Sequence, residues 1–151
     1  MELNKLIYVS TVSDAFSLSS VDEILVAAQR NNGEKGITGI LYYNHKYCMQ
    51  YLEGDKQEVE LIYKRILEDN RHYNVLLLDK SALDERRFGC WSMAYLLQSE
   101  ILRTLNFYFM DSPEFNPYRL DAQSANELIT ELRSHLPLAY LHSDALSKTY
   151  R

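Results

Sequence analysis

Two side chains are candidates for chemistry because each places a polar group near the middle of a predicted apolar strand. Tyr8 lies in the segment Lys5–Ser10, and Gln50 lies in the segment Lys46–Leu52. Alternate residues of a strand face the same side, so both polar groups point toward apolar neighbours. A buried Tyr hydroxyl requires a partner, and a buried Gln amide has four hydrogen-bonding sites to satisfy. Considered singly, each residue is more often structural than functional.

Further candidates lie where two predicted helices end. Asn31 and Asn32 close the first helix, and Asn is common at such ends for purely structural reasons. A group of charged or ionisable residues surrounds the end of the second helix: Arg65, Asp69, Arg71 and His72. A group of this kind is usually a solvated helix face.

The sequence contains none of the common catalytic motifs. It has no nucleophile elbow, no phosphate-binding loop and no dinucleotide-binding glycine motif. The four histidines are too scattered for a metal-ligand spacing, so no metal site is predicted. Cys48 and Cys90 are interpreted as small apolar strand residues.

The predicted elements follow in the order β-α-β-β-α-β, with a short additional strand. The strands are expected at Lys5–Ser10, Gly36–Tyr43, Lys46–Leu52 and Asn74–Asp79, with the short one around Trp91–Ala94. This order predicts an α+β, ferredoxin-like sheet with two helices packed on one face.

Capping residues and apolar spacing define the two helices. Ser20 and Glu23 form a capping-box pattern, and Gly33 is expected as the left-handed residue that ends the first helix. Asp55 is expected as the N-cap of the second helix. Its apolar stripe consists of Val59, Ile62, Tyr63 and Ile66.

The remainder of the chain predicts a helical appendage. A third helix is expected over 101–109, and Ser124 with Glu127 forms a capping-box pattern before a fourth. We therefore divide the chain into a unit of residues 1–95 and an extension of residues 96–151. Two added helices could cover the open face of the sheet or pair with another copy of the chain.

Composition restricts the classes of function. The chain has 151 residues, including 12 Tyr, and a formal net charge of −5. One domain with an extra element fits this length. An acidic balance disfavours nonspecific nucleic-acid binding, which requires a basic face. No signal peptide or membrane-length apolar run is apparent, so a cytoplasmic location is predicted.

Several segments, read together, resemble the BLUF family of blue-light sensors that use flavin. They are Ile7–Ser10, Gln29–Asn32, Gly36–Leu41, Gln50 with Leu52–Gly54, Ile66–Asp69, Arg71–His72 and Trp91–Met93. The similarity runs from about residue 3 to residue 95, in order and with compatible spacing. Residues 96–151 resemble the C-terminal helices of short, stand-alone members.

The resemblance implies a non-covalent flavin, usually FAD, with FMN or riboflavin as alternatives. By resemblance, Ile24 and Ile66 sandwich the flavin ring, and Asn31 and Asn32 bind its polar edge. Ala28 stands where some relatives have a Ser near the flavin. The remaining flavin contacts are expected from Arg65, Asp69, Arg71 and His72, near the O2 edge or the phosphate tail.

The resemblance also implies a hydrogen-bond switch. Tyr8 gives an electron and then a proton to the excited flavin, while the Gln50 amide reverses its hydrogen bonds. Trp91 and Met93 carry the change to the C-terminal helices. The expected outcome is signalling to a partner protein by a homo-oligomeric receptor, without enzymatic activity.

Two other classes of function stay open on the residues alone. One is a small ferredoxin-like enzyme that acts on a phosphate or acyl ester through Arg65, Arg71 and His72. The other is a homo-oligomeric interaction module that binds no ligand.

Overall fold

The computed structural model describes residues 2–13, 30–89, 93–99 and 102–136. The strands are β1 (Leu3–Val12), β2 (Thr38–Tyr43), β3 (Tyr47–Asp55), β4 (His72–Ala82) and β5 (Ala94–Leu97). Helical residues 30–34 are called α1. The other helices are α2 (Lys56–Glu68), α3 (Arg103–Met110), a 3-10 turn (Pro117–Arg119) and α4 (Ala122–Ser134).

The five strands form one sheet in the order β4-β1-β3-β2-β5. β1 pairs antiparallel with β3 and β4, β2 pairs antiparallel with β3, and β5 adds parallel to β2. This arrangement confirms the predicted ferredoxin-like α+β fold. The β1–β3 register sets Tyr8 directly opposite Gln50, so the two candidates meet at the centre of the sheet.

One face of the sheet, called the α2 face, packs against α2. Its buried side chains are Leu6, Tyr8, Ile37, Leu52, Val59 and Met93. The α2 residues Ile62, Tyr63 and Ile66 pack against this cluster, as the apolar stripe predicted. Alternation along β1 and β3 therefore brings the Tyr8 and Gln50 side chains to the same face.

The opposite face, called the α4 face, holds the larger core. Ile7, Val9, Met49 and Tyr51 point to it from the central strands. They pack against the buried α4 residues Ala125, Leu128, Ile129 and Leu132. The C-terminal helices thus cover the open face of the sheet, which is one of the two uses predicted for them.

The bounds of several strands differ from the sequence predictions, most clearly those of β4 and β5. β4 begins at His72 rather than Asn74 and continues to Ala82, because its pairing with β1 extends along the whole edge. β5 begins at Ala94, the last residue of the predicted Trp91–Ala94 segment, and runs to Leu97, because Ala94 is the first residue to pair with β2. The domain division at residue 95 stays a prediction.

The residue that ends α1 is Gly36, not Gly33. Residues 31–34 continue the helix, and the Asn32 carbonyl accepts hydrogen bonds from the Lys35 and Ile37 amides. Gly36 has φ 68°, a left-handed conformation that glycine adopts without a Cβ clash. The helix therefore closes one turn later than predicted.

The cap of α4 is also shifted from its predicted position. Asp121 is the N-cap, its side chain accepts from the Ser124 amide, and the Ser124 side chain accepts in return from the Asp121 amide. Ser124 thus belongs to the capping box as its third helical residue rather than as its first member. A carboxylate satisfies the helix N-terminus better than the predicted Ser because it also complements the helix dipole.

Three of the sequence-predicted site residues lie outside the described residues: Ile24, Ala28 and Trp91. The predicted start of the first helix at Ser20 is outside them as well.

Within the described ranges, no helix combines the length and apolar character needed to cross a bilayer. The cytoplasmic location stays a prediction.

Candidate functional site

The centre of the site is a short chain of hydrogen bonds between two strands and the residue before β5. The Tyr8 hydroxyl donates to Gln50 Oε1 at 2.6 Å, and Gln50 Nε2 donates to the Met93 sulfur at 3.4 Å. All three side chains are buried, with exposures of 4%, 9% and 1%. A thioether is a weak acceptor, so the Gln50 NH2 group is held much less firmly than its oxygen.

The Tyr8 phenol is held in its neutral form. Burial raises the pKa of Tyr8 well above its usual value, and the nearby Cys48, Asp69 and Tyr63 add to the effect. The Tyr63 ring lies 6.0 Å from the Tyr8 ring, and the His72 ring meets it edge-on at the same distance. A neutral phenol in this setting can serve as a hydrogen-bond donor at any physiological pH.

A second polar chain runs beside Tyr8. His72 Nε2 lies 2.7 Å from the Ile66 carbonyl oxygen, and Nδ1 lies 2.9 Å from the Ser10 hydroxyl. The Ser10 hydroxyl in turn lies 2.9 Å from the Cys48 sulfur. Because a carbonyl only accepts, Nε2 carries a proton, and in neutral His72 the Ser10 hydroxyl donates to Nδ1.

Asn31 and Asn32 occupy different environments at the end of α1. Asn31 is exposed, whereas Asn32 is buried with an exposure of 6%. The Asn32 backbone oxygen accepts two amides of the chain that follows the helix. Its side-chain amide makes no described hydrogen bond and has both donor and acceptor capacity for a ligand.

The charged residues near the end of α2 are arranged as an ion pair and an exposed cation. Arg71 forms a bidentate interaction with Asp69, with its Nε 2.9 Å from Oδ1. The hydrogen bond from Arg71 is the main cause that lowers the pKa of Asp69. Arg65 is exposed. Arg71 is therefore paired with Asp69, and both His72 nitrogens have hydrogen-bond partners.

Sequence reasoning missed the contributions of Ser10, Cys48 and Tyr63 to the site. Ser10 and Cys48 lie two residues from Tyr8 and Gln50 on the same strand faces, so strand alternation alone could have indicated them. Tyr63 was identified only as part of the apolar stripe. Burial raises the pKa of Cys48 to about 11, which keeps the thiol protonated at neutral pH.

Residues 3–94 match the family model BLUF, described as sensors of blue-light using FAD. The match covers more than half of the chain, and the chain belongs to the BLUF family. Its members are flavin-binding blue-light sensors, so the matched part of this chain is a sensor domain and not an enzyme.

Individual relatives agree with the family assignment. The chain is 38% identical over 87 residues to the blue light- and temperature-regulated antirepressor BluF of Escherichia coli K12. That stretch covers 58% of this chain but only 22% of the relative's length.

The similarity to solved structures extends beyond residues 3–94, the part of the chain that the family model matches. The photo-activated state of BlsA superposes with a TM-score of 0.79 at 33% identity, covering 87% of this chain and 94% of BlsA. The dark-state structure of BlrB, a BLUF protein, gives 0.65 at 27% identity, covering 98% of this chain and 97% of BlrB.

The described residues fit a flavin. An apolar cluster forms the α2 face, and the partly buried Ile66 packs against it. Gln50 Nε2 has only a soft sulfur as partner, and the buried Asn32 amide has capacity to spare. Both groups could instead bind the nitrogen and oxygen atoms at the polar edge of a flavin ring.

Proposed function

We propose that this chain senses blue light through a hydrogen-bond switch built on Tyr8 and Gln50. The observation that carries the proposal is the buried chain from the Tyr8 hydroxyl through the Gln50 amide to the Met93 sulfur. A bound flavin would supply the blue-absorbing, electron-accepting ring.

Tyr8 is proposed as the electron and proton donor. Its phenol is neutral, buried and donates to Gln50 Oε1, so Tyr8 is placed to give up an electron and then a proton, both of which a bound flavin would accept. Return of both to Tyr8 restores the phenol. No bond to carbon is made or broken, and the net change is confined to hydrogen bonding.

Gln50 is proposed as the residue whose hydrogen bonds differ before and after the transfer of the electron and the proton. In the present arrangement its oxygen accepts from Tyr8 and its NH2 group faces Met93. Rotation or tautomerisation of the amide exchanges donor and acceptor, so the bond to Tyr8 and the contact with Met93 change together. Such a switch requires two arrangements of similar energy.

Met93 is proposed to pass the change onward because it directly precedes β5. Trp91 joins it in this role, on the resemblance alone. The proposed flavin-contacting residues are Ile24, Ala28, Asn31, Asn32, Gln50, Arg65, Ile66, Asp69, Arg71 and His72. FAD is the proposed flavin, with the phosphate tail nearest the residues at the end of α2.

A partner protein is proposed as the recipient of the signal, since one relative is named an antirepressor. We further propose that the chain acts as a homo-oligomer, with a dimer as the simplest closed form. Light-dependent pull-down and light scattering in the dark and under blue light test these two proposals.

Absorption spectroscopy tests the photochemical proposal. Purified protein, reconstituted with FAD if necessary, should show oxidised-flavin bands and a reversible red shift under blue light. Gln50→Leu should retain the bands and lose the shift, whereas Met49→Leu, on the other face of β3, should retain both. Protein that stays colourless with FAD, or a full shift in Gln50→Leu, would contradict the proposal. Release and chromatography of the flavin identify FAD, FMN or riboflavin.

A further inference from the structure

His72 connects the end of helix α2 to the strand that carries Tyr8. It is the first residue of β4 and lies six residues after Ile66 of α2. Its Nε2 donates to the Ile66 carbonyl oxygen at 2.7 Å, and its Nδ1 lies 2.9 Å from the Ser10 hydroxyl of β1. Both nitrogens of the imidazole are therefore engaged by other parts of this chain.

The bond to Ile66 fixes the last turn of α2. A helix leaves its final carbonyl groups without intrahelical partners, and α2 ends at Glu68. The Ile66 oxygen accepts from the Asp69 amide at 3.2 Å, and the shorter bond comes from the His72 side chain. A His side chain at a helix C-terminus commonly serves in this way. The end of α2 is thus held by a residue of the sheet.

Ser10 carries the connection to the centre of the sheet. The Ser10 hydroxyl lies 2.9 Å from the Cys48 sulfur, and the two residues are opposite each other in the β1–β3 pairing. Tyr8 and Gln50 form another opposed pair two residues along the same strands. Because alternate residues of a strand share a face, the two pairs lie side by side on the α2 face. The imidazole is therefore bound next to the pair proposed for the photochemistry.

The His72 ring also contacts the Tyr8 ring directly. The two ring centroids are 6.0 Å apart, and the rings meet edge-on at 77°. Aromatic rings favour this edge-to-face arrangement. Since both nitrogens are hydrogen-bonded, the imidazole cannot turn without breaking a bond to α2 or to β1. Its edge therefore restricts where the Tyr8 ring can lie.

We propose that His72 is a positioning residue that sets the separation between Tyr8 and the flavin ring held by α2. The proposal rests on the function proposed above and concerns the geometry of that same site. Ile66 is the α2 residue proposed to contact the flavin, and His72 binds its carbonyl while contacting Tyr8. A reaction between two positioned groups can slow about 100-fold when one is misplaced by about 1 Å. Because both nitrogens are engaged, His72 makes any flavin contact through its ring carbons.

The arrangement predicts one tautomer of neutral His72. A carbonyl oxygen only accepts, so the proton lies on Nε2, and Nδ1 accepts from the Ser10 hydroxyl. NMR of the imidazole nitrogens in the full chain should show this tautomer. Ser10→Ala should leave the proton on Nε2, because the bond to Ile66 is intact. A neutral His72 with its proton on Nδ1 would contradict the bond on which the proposal depends.

Three substitutions of His72 separate its two hydrogen bonds. His72→Phe keeps a ring beside Tyr8 but removes both bonds, so the yield of the red-shifted state per bound flavin should fall at least about tenfold. His72→Gln places an amide near the former Nε2 and can still donate to Ile66, so it should keep at least about a third of the yield. His72→Asn reaches only the Ser10 side and should resemble His72→Phe.

Flash photolysis of the flavin-loaded full chain measures this yield, and absorbance gives the flavin occupancy. Tyr73→Phe is the matched control, because Tyr73 is the next residue of β4 and its side chain is 52% exposed. It should change neither quantity. If His72→Phe fails to fold, the comparison of His72→Gln with His72→Asn still decides, and equal yields in these two variants would overturn the proposal.

The remaining outcomes distinguish positioning from other roles. An unchanged yield in His72→Phe, or recovery in His72→Asn but not in His72→Gln, overturns the positioning role alone. Lower flavin occupancy with an unchanged yield per bound flavin makes His72 a flavin-binding residue and also overturns it. Absence of a red shift in the unaltered, flavin-loaded protein overturns the photochemical proposal instead, whatever tautomer of His72 is found.

Discussion

The two faces of the sheet differ in how their buried polar groups are satisfied. On the α4 face, Glu53 accepts four hydrogen bonds, and the fully buried Asn106 accepts from Tyr42 and donates to the Pro113 carbonyl. On the α2 face, the Gln50 NH2 group has a sulfur as its one partner among the described residues. Saturated groups hold one arrangement, whereas weakly held ones can exchange partners.

Tyr8 and Tyr51 show the same difference between the two faces of the sheet in a single residue type. Both are buried in neighbouring strands, and in both burial raises the pKa of the phenol. Tyr8 donates to a neutral amide that has two orientations, while Tyr51 donates to a carboxylate that accepts in every orientation. We therefore expect Tyr8 to take part in the photochemistry and Tyr51 to contribute to the stability of the folded protein.

The largest expected effect comes from removing each hydroxyl in turn. Tyr8→Phe should retain flavin and lose the normal photocycle, because the proposed donor of electron and proton is gone. Tyr51→Phe should retain the photocycle and lower the free energy of unfolding by about 1 kcal/mol, because Glu53 keeps three donors. Flash photolysis and urea unfolding measure the two quantities. A normal photocycle in Tyr8→Phe would contradict the different roles expected for Tyr8 and Tyr51.

A substitution that opens a cavity on the α4 face should lower the stability of the protein and leave the flavin spectrum unchanged. Leu128 is fully buried between α4 and the sheet, so Leu128→Ala should lower the free energy of unfolding by about 2–5 kcal/mol. The dark flavin spectrum should be unchanged, because Leu128 belongs to the opposite face. Thr130→Ala, an exposed position on the same helix, is the matched control. A shifted flavin spectrum in Leu128→Ala would show that the two faces are not independent.

The last expected effect is limited to pH values above about 9 and concerns Cys48, a half-buried thiol of the α2 face. Burial raises its pKa to about 11 from an ordinary 9.0. Below about pH 9 the thiol is protonated in both folded and unfolded chains. Between pH 9 and 11 only the unfolded chain releases the proton, so stability falls as pH rises, by at most about 3 kcal/mol.

Comparison with Cys48→Ala isolates the contribution of the thiol. Urea unfolding at several pH values between about 8 and 10 should give a shallower alkaline decline in the variant, because the variant lacks the thiol whose proton is held more tightly in the folded chain. Equal slopes in the two proteins would show that the thiol pKa is not raised on folding.

Local patterns were enough to predict most of the fold. Strand alternation placed Tyr8 and Gln50 on faces shared with apolar neighbours, and helical spacing identified the α2 stripe that packs on them. The order of the elements gave the sheet topology because few connections are compatible with it. Element ends were less well predicted, since Gly36 and Asp121 replaced the expected Gly33 and Ser124 as end residues.

The sequence by itself therefore determined the family, the fold and the two central residues of the candidate site, because these depend on short-range periodicity and ordered motifs. Only the tertiary structure decided which polar groups meet across the sheet. Glu53 collects donors from positions 38, 51, 87 and 88, and Arg133 reaches Arg87 from a helix far along the chain. No local pattern encodes such contacts, since they exist only once the strands are paired and α4 has packed on the sheet.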